Sequence, residues 1–135
     1  MEEHAEVIGG TPAACLEALL DFESYPEWQS AVEAVTVRDD GAVEFRVDAR
    51  VRTIRYVLRY HPEPPSRLWW DYVEGDAKDL AGEYLLDDLG HGTTRATYRL
   101  DIDPGRFVPG PVRRLLVEGV MRTSVRDLKR RVEGS

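Results

Sequence analysis

The sequence has little cysteine and no long apolar run, and both absences exclude classes of protein. Cys15 is the only cysteine among 135 residues, so no internal disulfide can form and a disulfide-stapled secreted scaffold is excluded. No segment approaches the roughly 20 apolar residues of a transmembrane helix, which predicts no stable membrane insertion. The first residues lack the basic and apolar regions of a signal peptide. Together these absences predict a cytoplasmic protein.

Histidine and positive charge are also scarce. His4, His61 and His91 lie far apart at strand ends or in loops, and without metal-ligand spacing they predict no metal site. The 18 basic residues are outnumbered by 25 acidic ones, which gives a net charge of −7. Because neutralising phosphates requires a net basic surface, this balance argues against a nucleic-acid partner. No motif for a cofactor is found, so we expect none.

The N-terminal third of the chain predicts one strand followed by two helices. Apolar residues make up 42% of the chain, enough for the core of one domain, and no repeat or linker divides residues 1–135. A short strand is predicted over residues 4–8. Thr11-Pro12 is a typical N-cap and first position of a helix, and residues 13–22 follow at helical spacing. A second, shorter helix is predicted around Pro26 and Trp28.

Period-two alternation between residues 32 and 102 predicts six further strands. The alternating segments are 35–37, 43–49, 54–60, 68–74, 80–86 and 94–102. Turn residues separate most of them, as at Asp39-Asp40-Gly41 and 87–92, and Pro62 is expected to end the fourth strand of the chain. The corner between residues 49 and 53 has no clear turn residue. A helix about 30 Å long is predicted over residues 112–132.

This order predicts the fold class. Consecutive strands with short connections form an antiparallel meander, and a sheet of that size curls. Its apolar face needs a cover, and only the C-terminal helix is long enough to supply one. We therefore predict a single α+β domain: a curved antiparallel sheet of about seven strands wrapped around a long C-terminal helix, with two short helices after the first strand.

Five short segments carry a resemblance to a known group of proteins. They are IGGTP at 8–12, DFESYPEW at 21–28, 70–75, DLAGEY at 79–84, and 94–98, and DFxxYPxW is the most specific. With the order of elements, they resemble the START-like, or SRPBCC, superfamily, and within it the polyketide cyclase/dehydrase and coenzyme Q-binding branch. The resemblance implies a helix-grip fold and a deep cavity between sheet and C-terminal helix for lipids, polyketides, quinones, sterols or hormones. It implies no general metal or nucleotide cofactor.

Strand parity predicts which side chains line such a cavity. Any single aromatic residue on that face is more often a packing residue than a ligand contact. Together, however, four inward-facing tyrosines carry hydroxyls that need partners when they are buried. The candidate ligand-binding residues are Trp28, Phe45, Val47, Tyr56, Leu58, Trp70, Tyr72, Tyr84, Tyr98, Phe107, Leu116 and Val120.

Three of these candidates have alternative interpretations. Leu116 and Val120 flank Gly119 on the helix, where small residues leave room for a ligand or allow close packing against the sheet. Trp28 is either a gate at the cavity mouth or a plug that holds the short helix, and we favour the plug. The loop over 105–111, which contains Phe107, is a candidate lid.

The sequence shows no nucleophile, base and orienting residue together, so catalytic residues stay unknown. Arg55 and Glu83 should point outward by parity, and only a shift of one residue would bring them inside. The resemblance implies a role for pocket Arg and Tyr side chains, which polarise a polyketide carbonyl in the aromatase/cyclases of the superfamily. Tyr56 and Tyr72 are the candidates for such donors here.

Three functions stay open, in order of preference. The first is a non-catalytic binder of an apolar small molecule of the lipid, polyketide or quinone class. The second is a polyketide cyclase, aromatase or dehydratase, and the third is an interaction protein of the same fold. A homodimer and an acyl carrier protein stay open as partners, the latter because the last helix is basic. A solvated helix face explains that charge more simply.

Overall fold

A computed structural model describes residues 1–48, 53–105 and 110–134. Two of the predictions, the corner at 49–53 and the lid residue Phe107, fall wholly or largely outside these ranges. The described elements, in chain order, are β1 (Glu2–Ile8), α1 (Pro12–Leu20), a 3-10 turn (Phe22–Ser24), α2 (Tyr25–Trp28), β2 (Val32–Val37), β3 (Val43–Asp48), β4 (Thr53–Glu63), β5 (Arg67–Gly75), β6 (Asp79–Gly90), β7 (Thr93–Asp103) and α3 (Gly110–Glu133). The predicted helix-grip α+β fold is confirmed.

The seven strands form one antiparallel sheet in the order β1-β7-β6-β5-β4-β3-β2. Strands β2 to β7 follow each other as the predicted meander, and β1 pairs with β7 at the far edge. The segment from α1 to α2 therefore carries the chain from one edge of the sheet to the other. It begins at Thr11, whose side-chain oxygen accepts a hydrogen bond from the Ala14 N–H at 3.1 Å and caps α1.

Two predicted strand ends are wrong. Strand β4 does not stop before Pro62 but continues to Glu63, and Pro62 pairs with Leu68 on β5. The pairing of β3 with β4 ends at Leu58, so beyond that residue β4 has a neighbouring strand on one side only. Proline has no N–H to donate, and on the unpaired side of β4 no ladder hydrogen bond is lost. Strand β6 continues to Gly90, so the predicted turn at 87–92 shrinks to the two residues between β6 and β7.

The long helix α3 packs against β1, β7 and α1. Its buried apolar residues are Val117, Met121, Val125 and Leu128. Leu116 and Val120, which we expected to face the cavity, are 52% and 45% exposed. Adjacent apolar residues at 115–117 and 120–121 offer two helix faces, and the face that is buried carries Val117 and Met121. No helix in the described residues is long and apolar enough to cross a bilayer.

Candidate functional site

The inner face of the sheet carries a continuous group of aromatic side chains, here called the aromatic cluster. Its members are Phe22, Tyr25, Trp28, Phe45, Tyr56, Tyr60, Trp70, Tyr84 and Tyr98. Most of it is built by cross-strand neighbours, because Phe45 opposes Tyr56, Tyr60 opposes Trp70 and Tyr84 opposes Tyr98. Alternation along five adjacent strands, β3 to β7, thus places the six rings from Phe45 to Tyr98 on one surface, and the 3-10 turn and α2 add Phe22, Tyr25 and Trp28.

Contacts between rings make this cluster continuous. The Phe45 and Tyr56 rings stack with centroids 5.3 Å apart, and Tyr60 lies 5.3 Å from Trp70. The Tyr98 ring stands edge-on to Trp70 at 5.6 Å and lies 4.5 Å from Tyr84. Such offset and edge-on arrangements are the favourable ones for aromatic pairs.

The segment that contains DFxxYPxW closes one end of the cluster. Tyr25 is buried, and its hydroxyl donates to the Leu19 carbonyl oxygen at 2.6 Å. The Trp28 indole N–H donates to Ser24 Oγ at 2.9 Å, and its ring stands edge-on to Tyr25 at 5.0 Å. A tryptophan tied to its own helical turn in this way matches the plug interpretation better than a gate.

Part of the inner surface stays accessible. Tyr56, Tyr60 and Tyr98 are half-buried although they lie on the inner face of the sheet. The helix α3 packs on β1 and β7, and in its N-terminal half the apolar residues Leu116 and Val120 are exposed. We call the accessible inner surface around the three tyrosines the inner cleft. Its half-buried aromatic rings are apolar surface, the kind of surface that predominates in ligand sites.

The tyrosine hydroxyls on this face differ in whether they have partners. Tyr84 shares a hydrogen bond with Ser124 Oγ at 2.8 Å, and the Tyr72 hydroxyl donates to the Ala77 carbonyl oxygen at 2.7 Å. The hydroxyls of Tyr56, Tyr60 and Tyr98 make no hydrogen bond to any residue that the structure describes. The buried Trp70 Nε1 also lacks a partner there. A buried donor such as Trp70 Nε1 is costly unless a ligand or water accepts from it.

Burial also fixes the protonation of these phenols. It raises the pKa values of Tyr60 and Tyr98 well above 10, and neighbouring tyrosines raise them further. Burial raises the pKa of Tyr56 in the same way. At neutral pH these side chains are therefore neutral hydrogen-bond donors and cannot act as general bases.

Charged side chains near the sheet point away from the cluster. Arg55 donates to Glu44 at 2.8 Å and to Glu74 at 2.6 Å, while Glu83 accepts from Arg67 at 2.8 Å and from Arg99 at 3.2 Å. Their outward positions agree with the parity prediction.

The buried carboxylate of Asp127 on α3 is also engaged. It accepts from Ser30 N and Ser30 Oγ, each at 2.9 Å, and pairs with Arg130, so it ties α3 to the end of α2. Within residues 1–48, 53–105 and 110–134, no group of three His, Cys, Asp or Glu side chains is arranged to hold a metal. His4 pairs with Glu6, and His61 with Asp71.

The eleven predicted site residues that the structure describes divide into three groups. Phe45, Leu58, Trp70 and Tyr84 are buried in the core, and Trp28, Val47, Tyr56, Tyr72 and Tyr98 are half-buried against it. Leu116 and Val120 lie exposed on α3. Whether any of the predicted residues contacts a ligand stays a prediction.

Sequence reasoning missed Tyr60 and Tyr25. Tyr60 has the parity of Tyr56 and Leu58 and lies in the predicted strand 54–60, so the alternation contained the information. Tyr25 lies within DFxxYPxW, where a helical segment hides its direction.

Comparison with known proteins identifies the family. A family profile described as polyketide cyclase / dehydrase and lipid transport matches residues 3–133. The chain belongs to this family. Members of this START-like group share a fold that binds hydrophobic small molecules, which agrees with the aromatic inner face. A search of curated proteins finds no match.

Solved structures of other proteins show the same fold. A START superfamily protein from Mycobacterium smegmatis has a TM-score of 0.89 at 18% identity, over 98% of this chain and 97% of that one. The Zhui aromatase/cyclase from Streptomyces sp. R1128 has a TM-score of 0.80 at 19% identity, over 98% and 92%. A protein from Thermus thermophilus has a TM-score of 0.82 at 19% identity, over 98% and 96%. At such identities the likeness shows the fold alone.

Proposed function

We propose that this protein binds an apolar small molecule of the lipid, polyketide or quinone class in the inner cleft, between the sheet and α3. The observation that carries the proposal is that Tyr56, Tyr60 and Tyr98 stay half-buried on the inner face of the sheet. Exposed Leu116 and Val120 add apolar surface on α3. Covering such surface contributes about 25 cal/mol per Å² of apolar area removed from water.

A carrier or binder is preferred over an enzyme because the described residues of the cleft supply hydrogen-bond donors but no base. The tyrosines that border it are held neutral, and the pairs of Arg55 and Glu83 keep both side chains on the other face. Asp127 is occupied by Ser30 and Arg130. Proton abstraction from a carbon acid needs a positioned base within hydrogen-bond reach.

A cyclase, aromatase or dehydratase is the second candidate, and the free Tyr56 hydroxyl favours it. This group could donate to a developing enolate, whereas the Tyr72 hydroxyl already donates to Ala77. If such an enzyme receives its substrate from an acyl carrier protein, the basic helix is the expected docking face. Arg113 already pairs with Asp101 at 2.9 Å, which reduces the charge free for that contact.

Native mass spectrometry of the purified protein tests binding. We expect a species heavier than the 15.3 kDa chain, and denaturing extraction should release a single apolar class of molecule. Protein that is free of ligand and fails to bind representative lipids, polyketides and quinones would refute the proposal.

A matched pair of variants tests the location. Val120→Arg places a charge on α3 beside the inner cleft and should lower ligand occupancy. Val7→Arg is the control, because Val7 is 47% exposed on the outer face of β1, close to the 45% of Val120. Equal occupancy in the two variants would place the ligand elsewhere.

A further inference from the structure

The two edges of the sheet differ in how they are protected. Strands β1 and β2 each have a neighbouring strand on one side only. Beside β1, the Val7 carbonyl oxygen accepts from Lys129 Nζ at 2.7 Å. The Gly9 N–H donates to Glu133 Oε2 at 2.8 Å, so the end of α3 occupies part of that edge. Three of the seven residues of β1 are also glutamates, and charged edge strands resist pairing with another chain.

On β2, the backbone groups of Val35 and Val37 point to the free edge. At the end of this strand, the Arg38 N–H donates to the Ala42 carbonyl oxygen at 2.8 Å, so Arg38 directs its backbone groups toward β3. Successive residues of an antiparallel strand direct these groups to opposite sides, so Thr36 also faces β3 while Val35 and Val37 face away from it. The N–H and C=O groups of Val35 and Val37 make no hydrogen bond to any residue that the structure describes.

The side chains of β2 leave this edge open to another extended strand. Ala34, Thr36 and Val37 are exposed, and β-branched residues such as the last two favour strands. The one charged residue of β2 is Glu33, which lies in a bulge before Ala34, and its carboxylate is 3.5 Å from Thr53 Oγ1 over the outer face of its own sheet. Beyond the bulge the strand pairs regularly with β3. An accessible edge with so little charge is a template for strand pairing.

We propose that β2 pairs antiparallel with β2 of a second copy of this chain, about a twofold axis at Thr36, and so joins the two sheets edge to edge. In this register Val35 of each copy lies opposite Val37 of the other, and each of these two pairs exchanges two backbone hydrogen bonds. Registers centred on Val35 or Val37 form fewer, because the bulge or the turn replaces a residue that they need. The side chain of Val37, 41% exposed in the single chain, is covered by Val35 of the other copy. This interface does not depend on a ligand in the inner cleft.

Charge and size set the strength of the interface. Arg38 of one copy lies opposite Ala34 of the other and next to Glu33, so opposite charges meet at both ends of the strand pair. Arg38 pairs with Glu44 at 3.3 Å in its own chain but keeps 33% of its side chain exposed. A single pair of short strands is still a small contact, and interfaces below about 1,200 Å² are typical of weak complexes. We therefore expect a dimer that dissociates on dilution.

The native chain provides the first test. Sedimentation equilibrium from micromolar to millimolar concentration should show the mass rising from 15.3 kDa toward twice that value. Hydrogen exchange of the amides, followed by nuclear magnetic resonance over the same range, should show the Val35 and Val37 N–H groups exchanging severalfold more slowly as the dimer forms. The Thr36 N–H is the internal control, because it already faces β3 within its own chain.

A charge swap on the twofold axis tests the register. Thr36→Lys and Thr36→Glu each place like charges directly opposite each other, so each variant alone should stay monomeric where the native chain dimerises. An equal mixture of the two should associate again, because the lysine of one then faces the glutamate of the other. Ala5→Lys is the control, since it makes the same kind of charge change at an exposed position of β1 and should dimerise as the native chain does.

Three results would overturn this pairing. A native chain that stays at 15.3 kDa throughout would leave the edge of β2 to a strand of another protein. A dimer whose Val35 and Val37 amides exchange as fast as in the monomer, or one that survives in Thr36→Lys, would have its interface elsewhere. A mixture of the two Thr36 variants that stays monomeric would refute the register. Because Thr36 is exposed, circular dichroism should show an unchanged fold in both variants, and the exchange data on the native chain do not depend on them.

Discussion

Gly82 on β6 lies directly beneath Trp70, and enlarging it should disturb the centre of the aromatic cluster. The two residues are cross-strand partners. A Cβ atom at position 82 would lie 2.5 Å from Trp70 Cζ2, 2.8 Å from Trp70 Cε2 and 3.0 Å from the Arg99 carbonyl oxygen. Carbon atoms pack at about 3.5–4.0 Å, so in Gly82→Ala the indole must move by about 1 Å.

The size of the effect follows from two opposing contributions. Overpacking of this kind destabilises by about 1–3 kcal/mol. Replacing glycine by alanine lowers the conformational entropy of the unfolded chain, which offsets roughly 0.4–1 kcal/mol of that destabilisation. We expect Gly82→Ala to lower the free energy of unfolding by about 1–2 kcal/mol and to alter the near-ultraviolet circular dichroism of Trp70.

Gly119→Ala is the matched control. No atom lies within 4 Å of a Cβ at Gly119, and the residue is in α3, where alanine is favoured over glycine by roughly 0.5–1 kcal/mol. Urea unfolding should therefore show opposite signs for the two variants. If Gly82→Ala were as stable as the native protein with an unchanged aromatic spectrum, the packing of Trp70 on Gly82 would be refuted.

Two further predictions concern buried polar groups. The pKa values of all six tyrosines are raised, chiefly by burial, so their contribution to stability is complete below the unfolded pKa of about 10 and is lost as pH rises above it. A spectrophotometric titration should show tyrosinate appearing together with unfolding. Asp127→Ala removes the acceptor of two Ser30 hydrogen bonds, so urea unfolding should show a loss of about 1–3 kcal/mol.

Each of these has a clear contrary result. Gradual ionisation of most tyrosines near pH 10, in protein that stays folded by far-ultraviolet circular dichroism, would show that burial does not raise the pKa values of these phenols. For Asp127, the control is Glu17→Ala, because Glu17 is exposed on α1 and its removal should change stability by less than about 0.5 kcal/mol. Equal effects of the two substitutions would mean that Asp127 does not hold α2 on α3.

Most of the fold could be predicted because the strands alternate clearly and their connections are short. Phe45, Tyr56, Trp70, Tyr84 and Tyr98 were expected on one face, and they lie there. Strand ends were harder to predict, because proline ends a strand only where its missing N–H would face a neighbouring strand. Which neighbours continue past a given residue depends on the pairing of the whole sheet.

The sequence could not predict which face of α3 packs against the sheet or which tyrosine hydroxyls have hydrogen-bond partners. Leu116 and Val117 are adjacent and equally apolar, so periodicity alone does not choose which of them packs against the sheet. Likewise, identical tyrosines differ only in what lies opposite them. Ser124 meets Tyr84 from α3, while Tyr98 one strand away has no such partner among the described residues.

The indole N–H signals of the three tryptophans test the central claim most directly. In a ¹⁵N–¹H correlation spectrum, the copurified ligand should shift the signal of Trp70, whose buried Nε1 has no partner among the described residues. The adjacent Trp69 is the internal control, because its Nε1 donates to Glu63 at 2.8 Å on the outer face and its ring stacks on His61. A shift at Trp70 with Trp69 unchanged is the result we predict. A bound ligand that shifts Trp69 and leaves Trp70 unchanged would contradict a binding site inside the sheet.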